Sequence, residues 1–316
     1  MMHRPDRQTL VDDQRLLDSV TPVAEALLER HQAKSREWFP HELVPWSLGR
    51  DFRPGDAWDP EEYPLPEAAR SALYLNLLTE DNLPYYFHAI SWLFSEDSVW
   101  GTWNRRWTAE EHRHSIVIRD WMTVTRAVDP VELERARMAQ VSMGYAPEGK
   151  LANTCEGVVY VTLQELATRI SHRNTGRLLD GPGQEIMSKV AADENLHFLF
   201  YRDLATAMLE ADPSRMVAAI ETQVRTFQMP GAGIPDFARH AAATAGAGIY
   251  DFNIHYEQIL APVVLRHWRL ESLTGLDAEG EQARERTVRR LERVERVSRR
   301  VAERRESRED LAGANA

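Results

Sequence analysis

Glu111 and His114 stand three residues apart, and so do Glu194 and His197, 83 positions further along. None of the other histidines has a glutamate three residues before it. On a helix that spacing sends a carboxylate oxygen and a ring nitrogen to the same side, as gripping one cation requires. Two such helices facing each other would grip two cations, the di-iron or di-manganese carboxylate arrangement, which also takes one glutamate from each of two further helices. Cys155 is the only cysteine, so the ligands must be nitrogen and oxygen, a set that suits iron and manganese alike.

The elements that would carry these pairs are apolar helices. Trp103, Trp107, Glu111, His114, Ile118 and Trp121 step by 4, 4, 3, 4 and 3. Ile186, Val190, Glu194, His197, Tyr201, Leu204 and Met208 step by 4, 4, 3, 4, 3 and 4. Each pair therefore interrupts a stripe of core residues, which costs several kcal/mol unless the polar groups are paired or hold metal. The same test finds Glu80 on the line Leu73, Leu77, Glu80, Pro84, Phe87, and Glu165 between Val158, Val161 and Thr168. The order is a single Glu then Glu-x-x-His, twice, on four separate helices. Both pairs follow an alanine and a further carboxylate, Ala109-Glu110 and Ala192-Asp193. Glu110, His112 and Arg113 fall off the stripe and can face water or a neighbouring helix. Thr108 and Glu111 also fit a capping box, but Trp103 and Trp107 place the start of that helix earlier. The Trp-rich SVWGTWNRRW reads as core.

Helical periodicity dominates outside residues 38–65. Helices are expected over 11–38 and 67–94, with Asp129-Pro130 and Asp212-Pro213 as N-caps followed by proline and turns at 144–150, 180–183 and 229–235. No period-two alternation stands out, so the fold class is all-α, a helical bundle. The reading is one domain over 1–305, its core bundle over about 64–228, and a loose tail at 306–316. The net charge of -11 argues against a nucleic-acid binder. No run of about eighteen apolar residues is present to span a membrane and no apolar leader opens the chain, so a cytoplasmic protein is expected.

The segments LTEDNLP (78–84), WTAEEHRH (107–114), QELATRISHRNT (164–175), AADENLH (191–197) and LTGLDAEG (273–280) resemble the soluble acyl-acyl carrier protein desaturases, the plastid stearoyl type and its actinobacterial relatives. The likeness runs from about residue 35 to 295. It implies a ferritin-like four-helix di-iron bundle with flanking helices. By that resemblance Glu80, Glu111, His114, Glu165, Glu194 and His197 ligate two irons, Glu80 and Glu165 as terminal ligands, Glu111 and Glu194 bridging. It also implies Thr168 as a hydroxyl near the oxygen-binding side, Asp193 as the carboxylate that orients a ligating histidine, and Trp46 as the tryptophan linked to that carboxylate in an electron path. The implied reaction is O2-dependent insertion of a cis double bond into an acyl chain on acyl carrier protein, with electrons from a ferredoxin-like donor and a homodimeric enzyme. Trp92 and Phe94, bulky for a tunnel wall, leave the acyl length open.

Three other readings share the ligand set: a hydroxylase or N-oxygenase acting on a carrier-bound acyl group, an iron-storing bundle, and a purely structural bundle. Residues 281–305 hold ten Arg against five Glu, with Val288, Leu291, Val294, Val297 and Val301 at helical spacing. That helix is either a solvated terminal element or a docking surface for an acidic carrier.

Overall fold

The computed structural model describes residues 6–53, 55–144, 152–231 and 233–313, with side chains described up to residue 301. Its long helices are α1 (Arg7–Lys34), α3 (Glu67–Glu80), α4 (Leu83–Phe94), α5 (Ser98–Thr125), α6 (Pro130–Met143), α7 (Thr154–Gly176), α8 (Gly181–Ala211), α9 (Pro213–Thr226), α10 (Phe237–Gly246) and α12 (Ala278–Gly313). Two four-residue helices, α2 (Pro40–Leu43) and α11 (Phe252–His255), a π-helical stretch, Tyr256–His267, and two short 3-10 turns, Trp46–Leu48 and Leu270–Ser272, complete the described set. No strand occurs among the described residues, as expected of an all-α chain.

The helices that carry the predicted ligands form a closed ring, in which α3 packs on α5, α5 on α8, α8 on α7 and α7 on α3. The flanking helices cover this ring: α1 lies on α5 and α8, α9 on α7 and α8, α10 on α3, and α12 on α9. Two apolar layers divide the ring along its axis. Leu73, Leu77, Ile118, Trp121, Ile186 and Val190 belong to one. Trp103, Trp107, Leu163, Leu166, Phe200, Tyr201 and Leu204 belong to the other. Each large side chain fully buried in these layers contributes roughly 1.5–3 kcal/mol. On α5 and α8 the Glu-x-x-His pairs fall between the two layers, so water is excluded from both ends.

Local sequence explains where the helices start and stop. The Asp6 carboxylate accepts from the Thr9 N–H at the head of α1. Asp129 caps α6 and Asp212 caps α9, each followed by proline in the first turn, as the sequence indicates. Three expectations change. The first helix ends at Lys34 rather than at 38, because Ser35 is extended and Pro40 forces Phe39 out of the helical region; Trp38 is thereby free to turn inward. The helix expected over 67–94 breaks after Glu80 into α3 and α4, where Pro84 sits in the first turn of α4 and Arg137 grips Asp81 at 2.5 and 3.0 Å. The segment 180–183 opens α8 instead of forming a separate turn. Helical backbone in α12 continues beyond residue 305 to Gly313, through residues of good helix propensity. The turn expected at 144–150 lies, apart from Gly144, outside the described residues. No described helix is long and apolar enough to cross a membrane.

Just before the π-helical stretch, His255 accepts from the Tyr250 hydroxyl through Nδ1 (2.9 Å) and stacks on Phe227 (4.8 Å between ring centres). Burial pushes its pKa down to about 4, below the ordinary value of the unfolded chain. The unfolded state therefore takes up the proton first, and the contribution of this ring is complete above pH 6.5 and is lost as pH falls towards 4. Allowing for its partial exposure, the loss is about 2 kcal/mol. Denaturant melts at pH 7 and 4.5 should show a loss of stability about 2 kcal/mol smaller in His255→Gln than in the wild type.

Candidate metal centre

The six side chains singled out from the sequence converge. Glu80 is the last residue of α3; Glu111 and His114 come from α5, Glu165 from α7, and Glu194 and His197 from α8. All are buried, His114, Glu194 and His197 with no exposure at all. Their donor atoms gather into two groups, Glu80, Glu111, His114 and Glu194, and Glu111, Glu165, Glu194 and His197, in each of which the atoms lie within 4.8 Å of one another. Glu111 and Glu194 belong to both.

The two shared carboxylates each turn one oxygen to either side. Oε2 of Glu111 is 3.5 Å from His114 Nδ1, and Oε1 is 2.8 Å from His197 Nδ1. Oε1 of Glu194 is 3.4 Å from His114 Nδ1, and Oε2 is 4.0 Å from His197 Nδ1. Glu80 Oε2 stands 3.9 Å from His114 Nδ1, and Glu165 Oε2 3.6 Å from His197 Nδ1. Despite these distances, Glu111 Oε1, both oxygens of Glu194, Glu165 Oε2 and the two Nδ1 atoms have no partner in hydrogen-bonding geometry. Buried polar atoms are rarely left so. Six of them facing one point are what a pair of cations would satisfy, and two divalent ions would balance the four carboxylate charges.

Charge within the cage points the same way. Burial pushes Glu80 and Glu194 well above the usual carboxylate range, and the negative charge of Glu111 pushes them further. Glu111 feels the same burial, but the His114 and His197 imidazoles hold it well below that range. Four buried carboxylates cannot all ionise side by side unless positive charge lies between them.

The outward atoms of the cage are also held. His114 Nε2 meets Asp193 Oδ2 at 3.3 Å, and His197 Nε2 meets Glu110 Oε2 at 2.9 Å. Each imidazole is thus oriented by a carboxylate from the other helix, which fixes the tautomer that aims Nδ1 at the cage. Asp193 also accepts from Trp38 Nε1 (2.9 Å) and Arg113 (2.6 Å). Glu110 also accepts from Ser35 (2.9 Å), is ion-paired with Arg106 (2.5 Å) and faces His31 Nε2 at 2.9 Å. These partners overcome burial and keep both carboxylates below the usual range. Glu165 and Glu80 each meet one ring nitrogen: Glu165 Oε1 accepts from Trp107 Nε1 (3.1 Å), and Glu80 Oε1 from His172 Nε2 (3.1 Å). Burial, with the positive charge of His114 nearby, pushes His172 down to about 3, so it stays neutral and donates through Nε2.

The remaining sequence readings fare differently. Trp46 is half exposed and donates to the His41 carbonyl; Trp38 holds Asp193 instead, since the chain leaves α1 four residues before it. The Thr168 hydroxyl donates to the Gln164 carbonyl (3.0 Å) and accepts from the Gln164 amide (2.8 Å), so it bonds its own helix. Glu111 caps no helix, because α5 begins at Ser98. Cys155 is buried and pushed up to about 12 by that burial, a thiol outside the cage. Sequence reasoning missed Glu110, His31, Trp38, Trp107 and His172 as partners of the cage. The signal for Glu110 was the repeated Ala-carboxylate prefix, which places Glu110 and Asp193 at equivalent positions. A cavity of about 630 Å³ between α4 and α5, lined by Leu83, Phe87, Ala109 and Ile116, reaches the cage at Glu80.

A profile of the family described as fatty acid desaturase matches residues 12–314. The Mycobacterium tuberculosis chain named acyl-[acyl-carrier-protein] desaturase DesA1 is 42% identical over 282 residues, 86% of this chain and 83% of that one. The chloroplastic stearoyl-[acyl-carrier-protein] 9-desaturase 6 of Arabidopsis thaliana is 31% identical over 290 residues, 85% of this chain and 71% of that one. The X-ray structure of DesA2 from M. tuberculosis superposes with a TM-score of 0.68 at 28% identity, covering 85% of this chain and 99% of that one.

Proposed function

The chain belongs to the fatty acid desaturase family, in its actinobacterial acyl-[acyl-carrier-protein] desaturase branch, and on that premise we propose that it desaturates with two iron ions held in the α3–α5–α7–α8 cage. It is an oxidoreductase that introduces a double bond into an acyl chain carried by acyl carrier protein. The observation that carries the metal assignment is the set of six buried, inward-facing atoms without partners, divided into two groups that share Glu111 and Glu194. Glu80 and His114 would hold one ion, Glu165 and His197 the other, with Glu111 and Glu194 across both. When bound, the ions supply the O2 chemistry that no side chain can perform on an unactivated methylene.

The residues of the chain hold and insulate that centre. Asp193 and Glu110 keep the imidazoles aimed inward, Trp107 and His172 keep the terminal glutamates in place, and the two apolar layers exclude water. Trp38, Asp193 and His114 form a hydrogen-bonded line from the α1–α2 connection to the cage, along which a ferredoxin-like donor would deliver the two electrons each turnover consumes. A homodimer in the cytoplasm completes the reading.

Mass spectrometry of products tests it. Defined acyl carrier protein thioesters with reduced ferredoxin and O2 should give a chain lighter by two hydrogens, and purified enzyme should contain two irons per 36.3 kDa chain. A product heavier by one oxygen would mean a hydroxylase; many irons per chain would mean storage.

A further inference from the structure

A trough of about 760 Å³ runs along the outer face where α7 and α8 pack, lined by Arg169, Arg173, Arg177 and Lys189 against a single carboxylate, Glu185. In a chain of net charge -11, four cations gathered on one face call for an explanation. None of the four has a carboxylate within salt-bridge distance among the described residues. Arg173 and Arg177 reach only the neutral amide oxygens of Gln258 (3.3 Å) and Asn174 (3.2 Å). Arg169 is half-buried with no hydrogen-bonded partner among the described residues. Burial and then the charge of Arg173 both push its pKa down. An arginine left partly desolvated beside another arginine costs free energy that an arriving anion returns.

The basic helix α12 differs. Arg284, Arg286, Arg289 and Arg299 are paired with Glu281, Glu221, Glu285 and Glu295. A partner docking on those four would first have to displace the glutamates, whereas Arg290, Arg293, Arg296 and Arg300 of the same helix have no carboxylate within salt-bridge distance among the described residues and serve as the comparison surface.

We propose that the α7–α8 trough is where the acyl carrier protein docks, through carboxylates on its surface. This rests on the desaturase reading above. Arg169, Arg173 and Arg177 recur every four residues, so their row extends about 12 Å along α7, too long for one phosphate and suited to a line of carboxylates on a protein surface. The row begins one turn beyond Glu165. Across the trough, Ala191, Ala192 and Asn195 of α8 bracket Asp193 and Glu194, so the trough lies level with the cage.

The test uses the full-length protein and the carrier without its acyl chain, so that binding is read apart from turnover. Arg173→Glu/Arg177→Glu, both exposed positions, should weaken carrier binding in fluorescence anisotropy at least tenfold and raise KM for acyl carrier protein by a similar factor. Metal content, melting temperature and kcat should change less than twofold. Arg293→Glu/Arg296→Glu on α12 should change carrier affinity less than twofold. Carrier lacking its phosphopantetheine arm should lose the same factor with the trough variant; if only the armed carrier does, a phosphate subsite replaces the proposal. Unchanged affinity in the trough variant, a greater loss in the α12 variant, or a shift from dimer to monomer with carrier affinity intact would each overturn it. Failure of the wild type to bind carrier at all would instead sink the desaturase reading.

Discussion

Glu194→Ala should reduce the metal content from two ions to fewer than one per chain and lower desaturation by about 10³-fold or more. The size of the effect follows from geometry. Glu194 gives one oxygen towards His114 and the other towards His197, so its removal takes a ligand from both groups at once, whereas losing Glu80 or Glu165 takes one from a single group. The same substitution removes a buried carboxylate whose oxygens have no partner in hydrogen-bonding geometry. Metal-free Glu194→Ala should therefore melt no lower than the metal-free wild type. Iron analysis by plasma emission, turnover, and thermal melts of the stripped proteins decide the matter. A variant that keeps two irons would show that the cage does not hold them as assigned, and a lower melt without metal would show that Glu194 is a structural residue.

Glu110→Gln should be the second largest change and the less expected one, because this residue is not among the six inward-facing side chains and acts only through His197. The variant keeps size and polarity but loses the charge that holds His197 Nε2. A partner of this kind is worth 10- to 100-fold in metal affinity or activity. Asp193→Asn should do the same at His114. Competitive chelator titrations should show one weakened ion of the two in each variant, and the double variant should lose both. If Glu110→Gln leaves both affinities within twofold, the carboxylate is packing material and its link to His197 carries no function.

The six side chains of the cage were legible in the sequence as a buried polar set because each breaks a rule that the surrounding helix obeys. A Glu or His in a stripe of Trp, Ile, Val and Leu is conspicuous, and two copies of one spacing are more so. The partners of the cage are not conspicuous. Trp38, Trp107 and His172 look like ordinary core or helix residues, and their roles depend on which ring nitrogen meets which oxygen across separate helices. Trp38 was further hidden by a boundary. A helix carried to residue 38 would have pointed its side chain elsewhere, and only the extended Ser35 and the constraint from Pro40 turn it towards Asp193. Trp46 is the tryptophan that the resemblance implies, but its indole is tied to the His41 carbonyl. Glu110 lies off the apolar stripe, a position open to water or to a neighbouring helix, and α1 is that neighbour: it covers this side of α5 and brings His31 and Ser35 to the carboxylate.

The orienting carboxylates are exchanged: α5 supplies the one that steadies the imidazole of α8, and α8 supplies the one that steadies the imidazole of α5. Two helices joined by reciprocal hooks cannot slide or roll past each other without releasing both. An ion that settles on one side stiffens the hook on which the other side depends, so the vacancy left is already shaped for its occupant. Titration with Fe(II) should then populate empty and doubly filled chains at the expense of singly filled ones, in a native mass spectrum where independent sites would give a binomial mixture.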